Sequence, residues 1–427
     1  MAGPTVAVRM YNTGFGDAFV ITVQGAGEPW RMLIDCGVHS QGQARKIGET
    51  VAAVIGDLKA ANPDGPPHLD VLAATHHHAD HITGFALDDW EQVVVDEVWL
   101  PFVEDESDPD AAAIKRSHTL AAQSLLGLIR RQTQGLDQAK WPAELAEASF
   151  FALNSFGNAD AADRLLGRNG LHFARPHRVR FFPSTTEAEN TVTAAGGAVV
   201  AHVLGPSRDP DDLTLMDPPK NAGWLRLDLD HPAADDDLSG VPLFDPDYVV
   251  ADRKRLPKAL RDAKRSLRLA TVTNDAGVLS AASILERSVN NTSLFLVLEI
   301  AGLRLIFPGD AQEGAWQHVL KNPAKAALLR NAAFYKIGHH GSHNATPRAF
   351  VEQVWQDGGY AMLPWGLVKL WKDIPKRELL AALHDHQHTV VRADAPVAVP
   401  GTVTVHGDLW SEITFQTDGR GSGNPPS

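Results

Sequence analysis

The chain reads as an α/β protein in which two runs of strands are separated by a long middle region. Three observations carry this reading. Residues 5–100 follow a β-β-β-α-β order, residues 294–337 hold a second strand series, and the strands in both runs end in loops dense in histidine and aspartate. With 427 residues, 44% hydrophobic content, 35 Gly and 27 Pro, the composition suits a loop-rich α/β chain with a large core better than a helical bundle.

In the first run, residues 6–11 (VAVRMY) alternate as a strand and meet the glycine-punctuated turn Asn12-Thr13-Gly14-Phe15-Gly16-Asp17. Residues 18–23 (AFVITV) pair naturally with them, and 30–34 (WRMLI) form a third strand that ends in Asp35-Cys36-Gly37. Ile47, Val51, Val54, Ile55 and Leu58 recur at helical spacing over 45–61. Residues 69–74 (LDVLAA) are a short buried strand, and 93–100 (VVVDEVWL) another, closed by Pro101. In the second run, 294–300 and 303–307 form a hairpin across Ala301-Gly302, a helix covers 315–320, and 333–337 is a further strand.

Between them, 101–287 reads as a largely helical insertion into a single domain whose core is 5–100 and 288–415. It starts with the acidic run 104–108 and continues with Ala- and Leu-rich helical segments around 110–134 and 143–167, taken as packed embellishment rather than as a lid. Residues 198–206 are a strand whose lone His202 reads as structural. The Asp-, Pro- and Gly-rich stretch 207–252, with Asp235-Asp236-Asp237, reads as a long loop rather than a metal site. Over 254–287 a helical pattern carries Lys254, Arg255, Lys258, Arg261, Lys264, Arg265 and Arg268, equally a solvated face or a surface for a polyanion. Residues 416–427 read as a flexible tail.

A formal charge of −13 and a pI near 5.8 give no basic footprint, so net charge attracts neither nucleic acid nor anionic membrane. The single cysteine, Cys36, excludes a disulfide framework and a thiolate cluster within the chain. No stretch approaches the ~20 apolar residues of a membrane span, and the N-terminus lacks a basic start followed by an apolar core. A soluble cytoplasmic protein without a membrane partner is expected.

The chemistry concentrates in Thr75-His76-His77-His78-Ala79-Asp80-His81, the loop leaving the 69–74 strand. His76 with His78, and Asp80 with His81, make two chelates of mixed nitrogen and oxygen, the donors that Zn, Mn or Fe(II) prefer. Asp35, at a strand end, reads as a brace that accepts backbone N–H groups in preference to a ligand. Asp310, after Pro308-Gly309, projects a carboxylate from a second strand end and suits a monodentate or bridging role between two cations. A second histidine loop, Gly338-His339-His340-Gly341-Ser342-His343-Asn344, leaves the 333–337 strand. One shared site is more economical than four separate coincidences.

These segments resemble the metallo-β-lactamase-fold hydrolases: residues 75–81 match the HxHxDH motif, 33–37 the preceding LIDxG, and Pro308-Gly309-Asp310 the bridging-aspartate segment. Within that superfamily the chain is similar to the soluble domain of the competence protein ComEC and its relatives. That similarity rests on GxGD at Gly14 to Asp17, NNxS at Asn290 to Ser293, and KxxHHGS at Lys336 to Ser342. The matches cover 5–100 and 288–346. The resemblance implies a four-layer αββα sandwich and two divalent ions, Zn2+ or Mn2+. His76 and His78 would bind one ion, Asp80 and His81 the other, and Asp310 would bridge. One of His339 and His340 would complete the second; the strand-end position favours His339, which leaves His340 near the substrate. Where related lactamases and lactonases carry a further histidine, this chain has Asn290-Asn291-Thr292-Ser293, and an amide oxygen is a weaker ligand than imidazole.

The reaction so implied is hydrolysis by a metal-bridging hydroxide. Asp80 doubles as ligand and proton acceptor, and His340 protonates the leaving group or stabilises charge, with Lys336, His343 and Asn291 at the substrate. A phosphodiesterase or nuclease is the first reading, and a small nucleotide phosphodiester suits the acidic chain better than a long nucleic acid. Ester, lactone or amide hydrolysis is the alternative within enzymes. A noncatalytic metal-binding protein is the alternative outside them.

Overall fold

Each run of strands builds one mixed sheet. A computed structural model describes residues 3–134, 158–218 and 287–417 except 26, 41 and 369–372, together with the single positions 137, 141, 142, 145, 146, 148, 149, 224 and 282. In chain order the strands are β1 Thr5–Tyr11, β2 Ala18–Gln24, β3 Trp30–Cys36, β4 His68–Ala73, β5 Val94–Pro101, β6 Arg178–Phe182, β7 Thr191–Ala194, β8 Val199–Gly205, β9 Phe295–Ile300, β10 Leu303–Phe307, β11 Phe334–Lys336, β12 Tyr360–Leu363, β13 Thr389–Arg392, β14 Val403–His406 and β15 Trp410–Gln416. The helices are α1 Ile47–Ala61, α2 Ala79–Ile82, α3 Pro109–Gln132, α4 Ala159–Leu166, α5 Pro210–Thr214, α6 Glu313–Leu320, α7 Pro323–Leu329 and α8 Arg377–Asp385.

The first sheet runs β14-β15-β1-β2-β3-β4-β5-β6 and the second β13-β12-β11-β10-β9-β8-β7. In the first, β14 to β3 are antiparallel and β3 to β6 parallel; in the second, β7 to β10 are antiparallel and β10 to β13 parallel. The core falls into three parts. Val8, Ile21, Met32 and Val71 of the first sheet meet Val203, Leu296, Leu305 and Met362 of the second. On the far face of the first sheet, Leu33, Leu72 and Val98 pack under Val51, Val54 and Leu58 of α1 and Leu165 of α4. On the far face of the second, Val297, Ile306 and Tyr335 pack under Ala315, Trp316, Leu379 and Leu383 of α6 and α8. An α/β sandwich results, and the central strand β3 is buried along its whole length.

The middle region corrects one expectation. Residues 101–287 contribute β6 to the first sheet and β7 and β8 to the second, so they do not merely insert between core halves. Helices α3 and α4 lie between the parallel neighbours β5 and β6, as a parallel connection requires a crossover. Strands β6 and β7 are edge strands with few fully buried positions, so they lack the apolar alternation that marks a strand. Asp108 caps α3 by accepting the Asp110 and Ala111 N–H groups, with Pro109 in the first turn. Of the helix expected over 143–167, Ala159–Leu166 is helical. Of the stretch 207–252 expected as a loop, Pro210–Thr214 is helical; its part from 225 on with Asp235 to Asp237, the seven cations between 254 and 268, and the tail from 418 lie outside the described residues, while β15 runs on to Gln416. Among the described residues no helix is long and apolar enough to cross a membrane.

Asn291 docks the middle region onto the second half. Its buried amide N–H groups donate to the carbonyls of Leu215 at 2.8 Å and Leu213 at 3.2 Å, and its Oδ1 accepts the Gln312 N–H at 3.0 Å. Asn291 was expected at the substrate; its hydrogen-bonding capacity is instead spent on backbone. Asn291→Ala leaves those buried groups unpaired and is expected to destabilise the protein by about 2–3 kcal/mol, read as a lowered denaturation midpoint in urea.

Candidate metal centre

The His76–His81 loop and the segments around Asp310 and His340 meet where parallel strands of the two sheets end, the usual position of sites in α/β sheets. Asp35, at φ 57°, accepts the Thr75 N–H and the Thr75 hydroxyl, each at 2.7 Å. It braces the loop, as the sequence favoured. The next crossing admits no side chains: a Cβ on Gly37 would fall 2.4 Å from the His81 nitrogen, and one on Gly16 2.3 Å from the Gly37 oxygen. Beside them the Asp17 N–H donates to the Asp80 carbonyl at 2.9 Å. The halves are joined directly where the Leu294 N–H donates to the Thr75 carbonyl at 2.9 Å.

Four buried donors converge here, one atom each from Asp80, His81, Asp310 and His340, all within 4.8 Å of one another. His81 Nε2 lies 3.2 Å from Asp310 Oδ2 and 3.7 Å from Asp80 Oδ2; His340 Nε2 lies 3.1 Å from Asp80 Oδ2 and 4.0 Å from Asp310 Oδ2. Ligands ~2.0–2.1 Å from a tetrahedral ion sit ~3.4 Å apart, so the spacing and the two-nitrogen, two-oxygen set fit a divalent metal. The far nitrogens are anchored. His81 Nδ1 faces Asp35 Oδ2 at 2.8 Å, and His340 Nδ1 faces the Pro364 carbonyl at 2.8 Å. Such partners put a proton on Nδ1 and aim Nε2 inward. His81 Nε2 is buried and makes no aligned hydrogen bond within the protein, its nearest carboxylate oxygen being Asp310 Oδ2.

This geometry exchanges the two adjacent histidines. His340, expected to act on the substrate, stands in the donor group, while His339, expected as the ligand, does not. Both adopt left-handed backbone, φ 43° and 52°, which turns consecutive side chains apart. His340 packs on Phe15 with ring centroids 3.8 Å apart. The His339 N–H donates to Asp310 Oδ1 at 3.0 Å, its Nε2 lies 3.4 Å from Asn290 Nδ2, and its Nδ1 is buried without a partner.

His76 and His78 form a separate pair, with His76 Nε2 3.1 Å from His78 Nδ1. The pair joins no group of three or more His, Cys, Asp or Glu donors among the described residues. His76 Nδ1 lies 3.2 Å from the hydroxyls of both Thr75 and Ser293, and His78 Nε2 is buried without a partner.

Lys336 also departs from expectation, while His343 is engaged at the rim. Lys336 is buried, its Nζ 2.6 Å from Asp17 Oδ2, 3.0 Å from Asp310 Oδ1 and 3.0 Å from the Gly309 carbonyl, so it holds the site together and cannot reach a substrate. His343 pairs with Asp217 at 3.1 Å, and Asp217 also pairs with Arg287. Asp17, Ser293, Pro364 and Arg287 belong to the site or its rim and were not singled out from sequence. GxGD and NNxS were the only signals for the first two.

Charge inside the group is set by pairing against burial. Burial opposes ionisation of Asp80, but His81 and His340 hold its carboxyl well below the usual carboxylate range. Burial likewise opposes ionisation of Asp310, and Lys336 and His81 overcome it. Burial also opposes protonation of His81, which Asp310, Asp35 and Asp80 nevertheless hold well above its ordinary value; the Asp80 hydrogen bond raises His340. Burial dominates the remaining three: it lowers His76 strongly, His78 to about 3 and His339 to about 4.

No family model and no curated protein matches the chain.

Two outcomes follow for the isolated protein. His340→Ala should lose metal from reconstituted protein while His339→Ala retains it, read by elemental analysis after gel filtration. In chelator, stability should peak near pH 6.5. The raised His81 and His340 contribute fully below ~6.5 and lose that contribution as pH rises through their folded values. The lowered His76, His78 and His339 bind protons only when unfolded as pH drops below ~6.5. A melting series across pH 5–9 checks this.

Proposed function

We propose that the chain is a metal-dependent hydrolase of the metallo-β-lactamase type, a four-layer αββα sandwich, acting on a phosphodiester. The observation that carries the reading is the buried Asp80, His81, Asp310 and His340 group, in which each imidazole has its far nitrogen anchored. A divalent metal held there supplies Lewis-acid polarisation of the scissile group and activation of water. The chain supplies the rest. The Asp80 side chain is 10% exposed, against 0–1% for its three companions, so water and substrate approach over Asp80. Ionised at neutral pH, Asp80 accepts the proton of an attacking water. Lys336 and the His339 N–H occupy Asp310 Oδ1 and leave Oδ2 facing the group. His339 is partly exposed beside the group, and its backbone N–H steadies Asp310.

The phosphodiester class rests on the resemblance and on the suitability of clamped metal for a developing phosphoryl charge. A second reading, ester, lactone or amide hydrolysis, draws on a specific observation. Lys336 is neutralised by Asp17 and Asp310, and Arg287 pairs with Asp217, so these cations are already committed.

Protein loaded with Mn2+ or Zn2+ should hydrolyse bis-p-nitrophenyl phosphate, chelator should abolish the activity, and Asp80→Asn should lower kcat at least ~10²-fold. Cleavage of a lactone panel without any phosphodiester would install the second reading. Bound metal with no turnover of either would leave a metal-binding protein.

A further inference from the structure

One carboxylate at the rim of the site holds two basic side chains. Asp217 Oδ1 lies 3.1 Å from His343 Nε2 and accepts a hydrogen bond from the Arg287 guanidinium. The three residues come from separate segments. Arg287 stands three residues before Asn290, whose amide lies 3.4 Å from His339, and His343 stands three residues after His340. Burial does most to oppose protonation of His339, and Arg287 adds to it, so the guanidinium is close to that ring. All three side chains reach solvent: Asp217 is 53% exposed, His343 23% and Arg287 22%.

The fold does not need Asp217 as a fastener. The segment before it is already docked by its backbone: the Leu213 and Leu215 carbonyls accept from Asn291, the Gly314 N–H donates to the Leu215 carbonyl at 2.8 Å, and the Asn344 amide donates to the Met216 carbonyl at 3.2 Å. An ion pair this open to water adds little stability. What the carboxylate changes is the charge that an incoming molecule meets. Lys336 is spent on Asp17 and Asp310, so among the described residues Arg287 and His343 are the rim groups left to attract an anion beside His339, and Asp217 offsets both.

We propose that Asp217 is a specificity-determining residue: it occupies Arg287 and His343, so the site takes a substrate whose scissile group is its one anionic or polar centre and rejects one that carries a further phosphate or carboxylate beside it. This rests on the hydrolase reading above and narrows its substrate class to diesters or esters without a terminal phosphate. A second anion brought against Asp217 meets like charge, which suppresses the wrong partner. With that charge removed, the same guanidinium and imidazole become an anion subsite, since both donate to phosphate oxygens.

Binding is read on chelator-stripped full-length protein, so that no metal captures the probe, by calorimetry with pyrophosphate at low salt. Asp217→Asn keeps an acceptor oxygen for Arg287 and removes only the charge; it should bind pyrophosphate at least ~10-fold more tightly than wild type. Asp217→Ala should show the same gain, with a circular dichroism spectrum confirming the fold of each variant. Adding Arg287→Gln to Asp217→Asn should remove the gain, and ~0.5 M NaCl should shrink it. In Mn2+-loaded protein the dithymidine diester TpT and its 5′-phosphorylated form pTpT compete with bis-p-nitrophenyl phosphate. The ratio of their inhibition constants, TpT over pTpT, should rise ~10-fold in Asp217→Asn, whereas a merely structural change would move both constants together. Pyrophosphate binding that Asp217→Asn leaves unchanged, a gain that survives Arg287→Gln, or an unchanged inhibition ratio would overturn the inference and leave hydrolysis standing. Tighter pyrophosphate binding in Asp217→Asn from a wild type that turns over neither a phosphodiester nor a lactone would overturn the hydrolase reading and leave Asp217 as an anion filter.

Discussion

Lys336 is the pivot on which the site depends. A buried ammonium is costly unless it is fully paired, and this one meets Asp17, Asp310 and the Gly309 carbonyl within 3.0 Å. Asp17 comes from the β1–β2 turn of the first sheet, while Lys336 and Asp310 come from strand ends of the second. One cation thus ties the two halves together where their loops meet. Burial opposes its protonation, but the two carboxylates outweigh that and hold it above the ordinary lysine value, so it remains an ammonium throughout the physiological range. The same contact fixes the rotation of Asp310 and leaves one carboxylate oxygen for the donor group.

From that tie the rest of the geometry follows. Asp35 and Thr75 lock the first histidine loop, Gly16 and Gly37 let it lie against the neighbouring turn, and the Thr75 carbonyl receives the first strand of the second half. The donors arrive on backbone that is itself hydrogen-bonded, so little rearrangement is needed to receive an ion. Preorganisation of this kind separates a metal site from a chance cluster of histidines. The Asp17, Asp35 and His81 group shows the contrast, since Lys336 and the His81 N–H already fill it.

Much of this was legible in the sequence. Strand-end loops with clustered histidine and aspartate pointed to one site, and the strong periodicities of β1 to β4, α1, β9 and β10 placed the two sheets. Asp35 was readable as a brace because its loop offered N–H groups. What was illegible depended on tertiary partners. The dipeptide His339-His340 carries no clue to which ring turns inward; two left-handed residues and the Pro364 carbonyl, 24 residues away, decide it. Lys336 and Asn291 have the chemistry of substrate ligands, but the fold spends both on internal bonds. The edge strands β6 and β7 hid in the middle region because an edge needs no apolar alternation.

The account turns on His81 and His340, with two carboxylates, as the ligands of the first ion. X-ray absorption at the zinc edge, on protein holding one equivalent of Zn2+, tests this most directly. The account predicts about four nitrogen or oxygen neighbours at ~2.0–2.1 Å with the outer-shell scattering of two imidazoles, reduced to one in His340→Gln. Scattering from three imidazoles, or a spectrum that His340→Gln leaves unchanged, would contradict it.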